Sequence, residues 1–125
     1  MIGNEPFEKE PELFTENEAQ YLAENFIGRV ATASKSGEPH VVPVSYTFDG
    51  STITFGGLNL ARSLKFRNLM ANDRVAFVVD DLASVDPWKP RGVEVRGRAR
   101  PLVSADGVIT IGIIPLNIRS WGLED

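Results

Sequence analysis

The chain has 125 residues, a net charge of -4 and a pI near 5.0, which suits a single domain that can bury its own core. The acidic balance argues against general affinity for nucleic acid, although it allows a local basic pocket. The absence of cysteine excludes disulfides and thiolate chemistry, and one histidine, His40, cannot build a His-rich metal site.

The N-terminal segment, residues 1–14, is acidic and contains proline, so we expect an extended arm ahead of one domain over residues 15–125. This segment does not have the pattern of a signal peptide. No apolar run approaches the roughly 20 residues that span a bilayer. The sequence therefore predicts a cytoplasmic protein without a membrane partner.

Residues 15–26 predict the first helix, because Thr15 and Glu18 match a capping box. Gly28 is expected to end this helix. Three residues are expected to form its buried stripe: Tyr21, Leu22 and Phe26.

Three strand-like segments follow, at residues 28–34, 40–48 and 52–57, and the turn residues between them predict an antiparallel meander. The middle segment alternates, with one face made of Val42, Val44, Tyr46 and Phe48. Pro43 lacks the N–H that a ladder needs, so it predicts an edge strand or a place where another object docks.

Residues 58–73 predict an inserted helix with three cations near its start, Arg62, Lys65 and Arg67, and Asn59 as its N-cap. Gly57 and its neighbour Gly56 would let backbone approach a ligand closely. A helix N-terminus with cations and a serine, Ser63, can hold a phosphate. A solvated helix face would have the same composition, so these residues alone leave both interpretations open.

Residues 74–81 form a continuous apolar run that predicts a buried strand, and residues 82–92 predict a loop that contains Trp88. Residues 93–102 alternate, with Val93, Val95, Gly97 and Ala99 expected inward. Residues 108–123 predict the last one or two strands, where Trp121 either plugs the core or stacks on a ligand. About six strands joined mostly by tight turns predict a closed or nearly closed antiparallel barrel.

No motif of a nucleophilic hydrolase, a zinc protease or a P-loop is present. If the protein is an enzyme, a bound cofactor should supply the chemistry. No side chain is singled out as catalytic, and His40, Tyr46 or a water molecule can supply a proton.

The chain resembles the pyridoxamine 5′-phosphate oxidase-like split-barrel superfamily, in particular its small deazaflavin (coenzyme F-420)-dependent members. The likeness covers about residues 15–124 and rests on four segments in order: GRVATASKSGEPHVVPVSYTFDGSTITFGG, ARSLKFRNLMANDRVAFVVDD, GVEVRGRARPL and IIPLNIRSWGLE. It implies a mainly β fold, a six-stranded antiparallel split β-barrel with an N-terminal helix and one inserted helix. It also implies a homodimer with two flavin-type sites at the interface.

The resemblance further implies roles for particular residues. Ser63 and Lys65, with Arg62 and Asn59 close by, correspond to an element that holds the cofactor phosphate. Trp121 corresponds to a tryptophan that approaches the cofactor from the partner chain. The strand that lines the cofactor ring corresponds to Val42, Pro43, Val44 and Ser45.

The expected function is therefore hydride transfer from the deazaflavin coenzyme F-420 to a small organic substrate. The alternatives are an FMN-binding reductase or oxidase of the same fold, or a non-catalytic carrier of flavin or haem. A barrel that binds single-stranded nucleic acid is disfavoured by the acidic pI. The chain lacks the basic C-terminal residues that grip pyridoxamine phosphate in the oxidase, so we do not expect that activity.

Overall fold

The computed structural model describes residues 10–123, which form a mainly β fold. The strands are β1 Ile27–Ala33, β2 Pro39–Phe48, β3 Ile53–Phe55, β4 Arg74–Ser84, β5 Lys89–Val103 and β6 Ile109–Trp121. They close into an antiparallel barrel in the order β1-β2-β3-β6-β5-β4, and β4 pairs with β1 to complete it. Helix α1, Glu16–Glu24, precedes the barrel, and helix α2, Leu64–Ala71, is inserted between β3 and β4. The predicted six-stranded barrel with two helices is confirmed.

The capping box of α1 is present as predicted. The Thr15 hydroxyl accepts the N–H of Glu18 at 3.2 Å, and the Glu18 carboxylate accepts the N–H of Thr15 at 2.9 Å. The predicted end of the helix was wrong, because α1 stops at Glu24 and Gly28 lies inside β1. Gly28 is required there for packing, since a Cβ at this position would lie 2.3 Å from the ring of Phe77.

The core lies between the inner faces of the strands. Buried residues come from every strand, and the largest strand residues that are fully buried are Phe55, Phe77, Ile53, Ile111 and Ile113. The alternation predicted for β2 is confirmed, because Val44 and Tyr46 are buried whereas Val41, Pro43 and Ser45 are exposed. Tyr21 and Leu22 of α1 join the core as predicted, but Phe26 follows the helix and is 74% exposed.

The predicted loop over residues 82–92 is largely a hairpin. The ladder between β4 and β5 continues through Asp81 with Arg91 and Leu82 with Pro90, and it ends at Ser84 with Lys89. Side chains hold the base of this hairpin, because Arg91 donates two hydrogen bonds to the Asp81 carboxylate at 2.8 and 3.1 Å. The last segment is one long strand, β6.

The N-terminal segment lies against β6 where the structure describes it. The N–H of Glu12 donates to the carbonyl of Pro115 at 2.8 Å, and the Glu12 carboxylate accepts the N–H of Ile118 at 2.9 Å. The rest of the predicted arm, residues 1–9, and residues 124–125 lie outside the described part. Across residues 10–123, the helices are too short and too polar to cross a membrane.

Candidate functional site

One edge of β2 is free over residues 41–45. This part of β2 pairs with β1 on one side, whereas β3 pairs only with Tyr46, Thr47 and Phe48 on the other side. The N–H of Tyr46 donates to the carbonyl of Phe26 on the β1 side at 3.0 Å. Because successive backbone groups alternate in direction, the groups of residues 41, 43 and 45 point to the free side. Pro43 therefore loses no ladder bond, and it marks an edge as predicted.

The segment after β3 borders this free edge. Phe55 pairs with Tyr46, and the chain then leaves the sheet instead of continuing beside Ser45. Gly57 has a φ of 135° and Asn59 a φ of 59°, so two residues with positive φ redirect the chain here. The segment continues as a 3₁₀ turn, Leu60–Arg62, and then enters α2.

Ser63, rather than Asn59, is the N-cap of α2, so the predicted cap was wrong. The Ser63 hydroxyl accepts the N–H of Phe66 at 3.2 Å and donates to the carbonyl of Leu60 at 2.6 Å. Asn59 instead precedes the 3₁₀ turn in a left-handed conformation and makes no capping bond. The shift follows from Leu60, which is buried in the core and therefore requires the extra turn.

The first turn of α2 presents free donors and cations. The N–H of Arg67 bonds the carbonyl of Ser63, and the N–H of Phe66 is capped. The amides of Leu64 and Lys65 are the first-turn groups that a helix leaves without an internal partner. Lys65 is half-buried, whereas Arg62 and Arg67 are exposed. The helix dipole and the positive charges of Arg62 and Lys65 favour an anion at this end.

A buried hydrogen bond fixes α2 to the barrel. Asn68 is 5% exposed, and its amide donates to the hydroxyl of Thr32 on β1 at 3.0 Å. Thr32 is the ladder partner of His40 on β2. The segment that leaves the sheet after Phe55 thus ends in a helix held to Thr32 of β1, whose ladder partner on β2 is His40. Sequence reasoning missed Asn68, because nothing near it in the chain indicates a buried partner.

The predicted ring-lining residues divide between the two faces of β2. Val42 and Val44 point inward, and Pro43 and Ser45 point outward. The four residues therefore have in common only that their backbone lies in the part of β2 that β3 does not pair with. A flat ligand placed at this edge would meet main-chain groups and the side chains of alternate residues.

Trp121 lies far from these residues in the same chain. It pairs with Gly92, and its ring covers that glycine, where a Cβ would lie 2.5 Å from the indole. The ladders connect Pro43 through Arg29, Val78 and Glu94 to Arg119, two residues before Trp121, so four strand spacings of about 4.8 Å, roughly 19 Å around the barrel, separate the two regions. Trp121 is 40% exposed, so it does not plug the core.

The two side chains considered as proton donors differ in access. Burial raises the pKa of Tyr46 to about 12, and its hydroxyl donates to the carbonyl of Leu22 at 2.6 Å inside the core. Tyr46 is therefore a structural residue. His40 is partly exposed, and its buried Nδ1 has no hydrogen-bond partner among residues 10–123.

Comparison with known proteins identifies relatives of this fold. The family model for pyridoxamine 5′-phosphate oxidase matches residues 14–109. A 5a,11a-dehydrotetracycline/5a,11a-dehydrooxytetracycline reductase from Streptomyces rimosus subsp. rimosus is 43% identical over 122 residues, which cover 89% of this chain and 84% of that protein.

Two solved structures share the architecture. A conserved hypothetical protein from Mycobacterium tuberculosis has a TM-score of 0.74 at 23% identity, and the match covers 90% of this chain and 87% of the other. An F420 reductase has a TM-score of 0.67 at 24% identity, and the match covers 85% of this chain and 98% of the other. At these identities the two structures establish the fold alone.

Proposed function

Because this chain belongs to the pyridoxamine 5′-phosphate oxidase family, we propose that it is an oxidoreductase that uses the deazaflavin coenzyme F-420 to reduce a small organic acceptor. One observation carries the proposal. The first turn of α2, with cations and with amides that have no partner among residues 10–123, is connected directly to the segment that borders the free edge of β2. An anion-binding end and a flat backbone edge are what a phosphorylated heterocycle requires.

The residues of this region fit such a cofactor. The amides of Leu64 and Lys65 and the Lys65 ammonium would bind its phosphate, with Arg62 nearby. The open backbone at Gly57 would allow close approach, since nothing lies within 4 Å of the position that a Cβ would occupy. Ser63 would act mainly through its cap, which orients these donors. Arg67 adds a further cation, and this surplus favours the long anionic tail of the deazaflavin over the short tail of FMN.

The substrate is proposed to be an unsaturated ketone. The 43% identical relative is a dehydrotetracycline reductase, and its name supports a conjugated carbon–carbon double bond within a ring system as the acceptor. When bound in its reduced form, the deazaflavin would supply a hydride to one carbon of this bond. A proton from water, or from the accessible side of His40, would complete the saturated product. No side chain needs to act as a nucleophile.

The cofactor site is proposed to be shared between two chains of a homodimer. Trp121 would approach the cofactor held by the partner, since in its own chain four strand spacings of about 4.8 Å separate this end of β6 from the free edge of β2. Sedimentation should therefore give a dimer. An active monomer would contradict the shared site.

A fluorescence titration with the deazaflavin and, separately, with FMN tests the proposal. Lys65→Ala should weaken deazaflavin binding by about 5- to 150-fold, which is about 1–3 kcal/mol for a lost charge-assisted contact. Lys35→Ala, in the exposed turn between β1 and β2, is the control and should bind normally. Affinity should also fall with added salt.

Each outcome of the titration has a distinct meaning. Preference for FMN would replace the deazaflavin by the alternative cofactor. Binding of neither cofactor would remove the proposed function. Equal affinity for Lys65→Ala and the control would exclude Lys65 from the site.

A further inference from the structure

We propose that the tip of the β4–β5 hairpin, formed by Val85, Trp88 and Lys89, is a specificity surface that holds a flat, polycyclic, anionic acceptor over the partner chain's cofactor. This inference rests on the proposed function and names the substrate class of the same site. Trp88 would be its main determinant.

The tip exposes two apolar side chains. Trp88 is 67% exposed and Val85 is 69% exposed, and neither side chain is needed to fill the core. An exposed aromatic side chain near an exposed aliphatic one offers a contact surface for an apolar ligand. An indole offers a broad face for stacking on another ring system. Lys89 adjoins it and makes no ion pair with the described residues, so it can pair with an ionised enol or phenol oxygen.

The hairpin is held rigidly at its base. The Asp81 carboxylate accepts from Arg91 and also from the Tyr21 hydroxyl at 2.8 Å, and the Arg91 guanidinium lies 5.3 Å from the centre of the Tyr21 ring. Tyr21 is itself buried. The tip is thus presented at a defined place from α1 and the barrel. A fixed aromatic surface binds with a smaller loss of conformational freedom than a mobile one.

The hairpin extends from the same end of β5 as Trp121. Trp121 covers Gly92, and Trp88 is only four residues before Gly92. In its own chain the hairpin extends from β4 and β5, on the other side of β1 from the free edge of β2. If Trp121 reaches the partner's cofactor, Trp88 lies next to the entrance of that same site.

The acceptor chemistry follows from the size and charge of this surface. A small monocyclic enone would reach the cofactor without touching a residue at the hairpin tip. A fused ring system with an acidic oxygen would extend outward to Trp88 and Lys89. Recognition by the tip should therefore distinguish polycyclic from monocyclic acceptors.

Kinetics of Trp88→Ala test this distinction. Its KM for a polycyclic dehydrotetracycline should rise at least about fivefold, as expected for a lost aromatic contact. Its KM for cyclohexenone and its deazaflavin affinity should not change. Val103→Ala removes an equally exposed apolar side chain from the other end of β5 and should leave all three values unchanged. An unchanged KM for the polycyclic acceptor in Trp88→Ala would overturn the inference.

Fluorescence gives a readout that does not need turnover. The chain has two tryptophans, so Trp121→Phe leaves Trp88 as the sole indole. Saturable quenching of its emission by tetracycline is expected. Cofactor binding without quenching would overturn the role of Trp88 and leave the proposed function standing. If the unaltered protein does not bind the deazaflavin, the proposed function falls and the placement of Trp88 over a cofactor falls with it, even where tetracycline quenches its emission.

Mixed dimers test the placement in the partner's site. Chains with Lys65→Ala and chains with Trp88→Ala should each be impaired at low cofactor and low substrate. If the hairpin serves the partner, a mixed dimer contains one site with both residues intact and should regain up to half of the activity. If the hairpin serves its own chain, every site keeps one defect and no activity returns, which would overturn the placement.

Discussion

Removal of the buried hydrogen bond between Asn68 and Thr32 should destabilise the protein and weaken cofactor binding together. Asn68→Leu keeps the size of the side chain but leaves the Thr32 hydroxyl buried without its donor. Thr32→Val leaves the Asn68 amide without its acceptor. Each change should lower the free energy of unfolding by about 1–3 kcal/mol, because a buried polar group loses its partner. For a chain of this size, this lowers Tm by about 4 °C per kcal/mol.

The double variant separates the hydrogen bond from general packing effects. With both groups apolar, nothing polar is left unpaired, so the two losses should not add, and a coupling energy of about 1–2 kcal/mol is expected. Urea unfolding at a fixed protein concentration measures all three variants. Deazaflavin affinity should fall in Asn68→Leu, since α2 carries Lys65. Losses that add to within about 0.5 kcal/mol would refute the reasoning.

Two other predictions concern stability. Gly28→Ala should lower the free energy of unfolding by about 1–3 kcal/mol, because its Cβ would overlap the buried ring of Phe77. The double variant with Phe77→Leu should lose less free energy than the two single variants together. Equal losses, measured by urea unfolding, would contradict this prediction. The hydrogen bond from Arg91, aided by that from Tyr21, holds the pKa of Asp81 below its usual range. The stabilisation from the ionised Asp81 is thus present above the unfolded pKa of about 3.9 and is lost as pH falls through the lower native pKa. In Asp81→Asn, the free energy of unfolding should therefore fall less steeply at acid pH than in the unaltered protein.

The parts of the fold that follow from neighbouring residues were predictable from the sequence. The capping box of α1 needs only Thr15 and Glu18, three residues apart. The alternation of β2 and the antiparallel meander follow from side-chain period and turn residues. Pro43 predicted an edge because a missing N–H is a property of the residue itself. These signals fix local geometry regardless of what lies elsewhere in the chain.

The errors arose where distant residues decide between local options. Asn59 and Ser63 are both good N-caps, and the choice depends on Leu60, whose burial requires a separate turn. The β4–β5 hairpin was interpreted as a loop because of its prolines, yet the Asp81–Arg91 pair extends the ladder. Gly28 resembles a helix end, but the ring of Phe77, far along the chain, requires it inside a strand. The sequence contains no local indication of such contacts.

The distribution of the candidate site along the chain is itself an argument for two subunits. The donors of α2 and the free edge of β2 lie together, whereas Trp121 and the hairpin tip lie beyond the far end of β6. In one chain, four strand spacings of about 4.8 Å, roughly 19 Å of barrel wall, lie between Pro43 and Arg119 near Trp121, so a ring held at the free edge of β2 is separated from Trp121 by the wall of the barrel. A second copy related by a two-fold axis would bring Trp121 and the hairpin tip of each chain to α2 and the free edge of β2 in the other chain. The dimer would then contain two equivalent sites. In such a dimer the exposed Trp88 and Trp121 would be parts of a binding site. The mixed-dimer experiment tests this for Trp88, because activity returns only if the hairpin of one chain serves the site of the other.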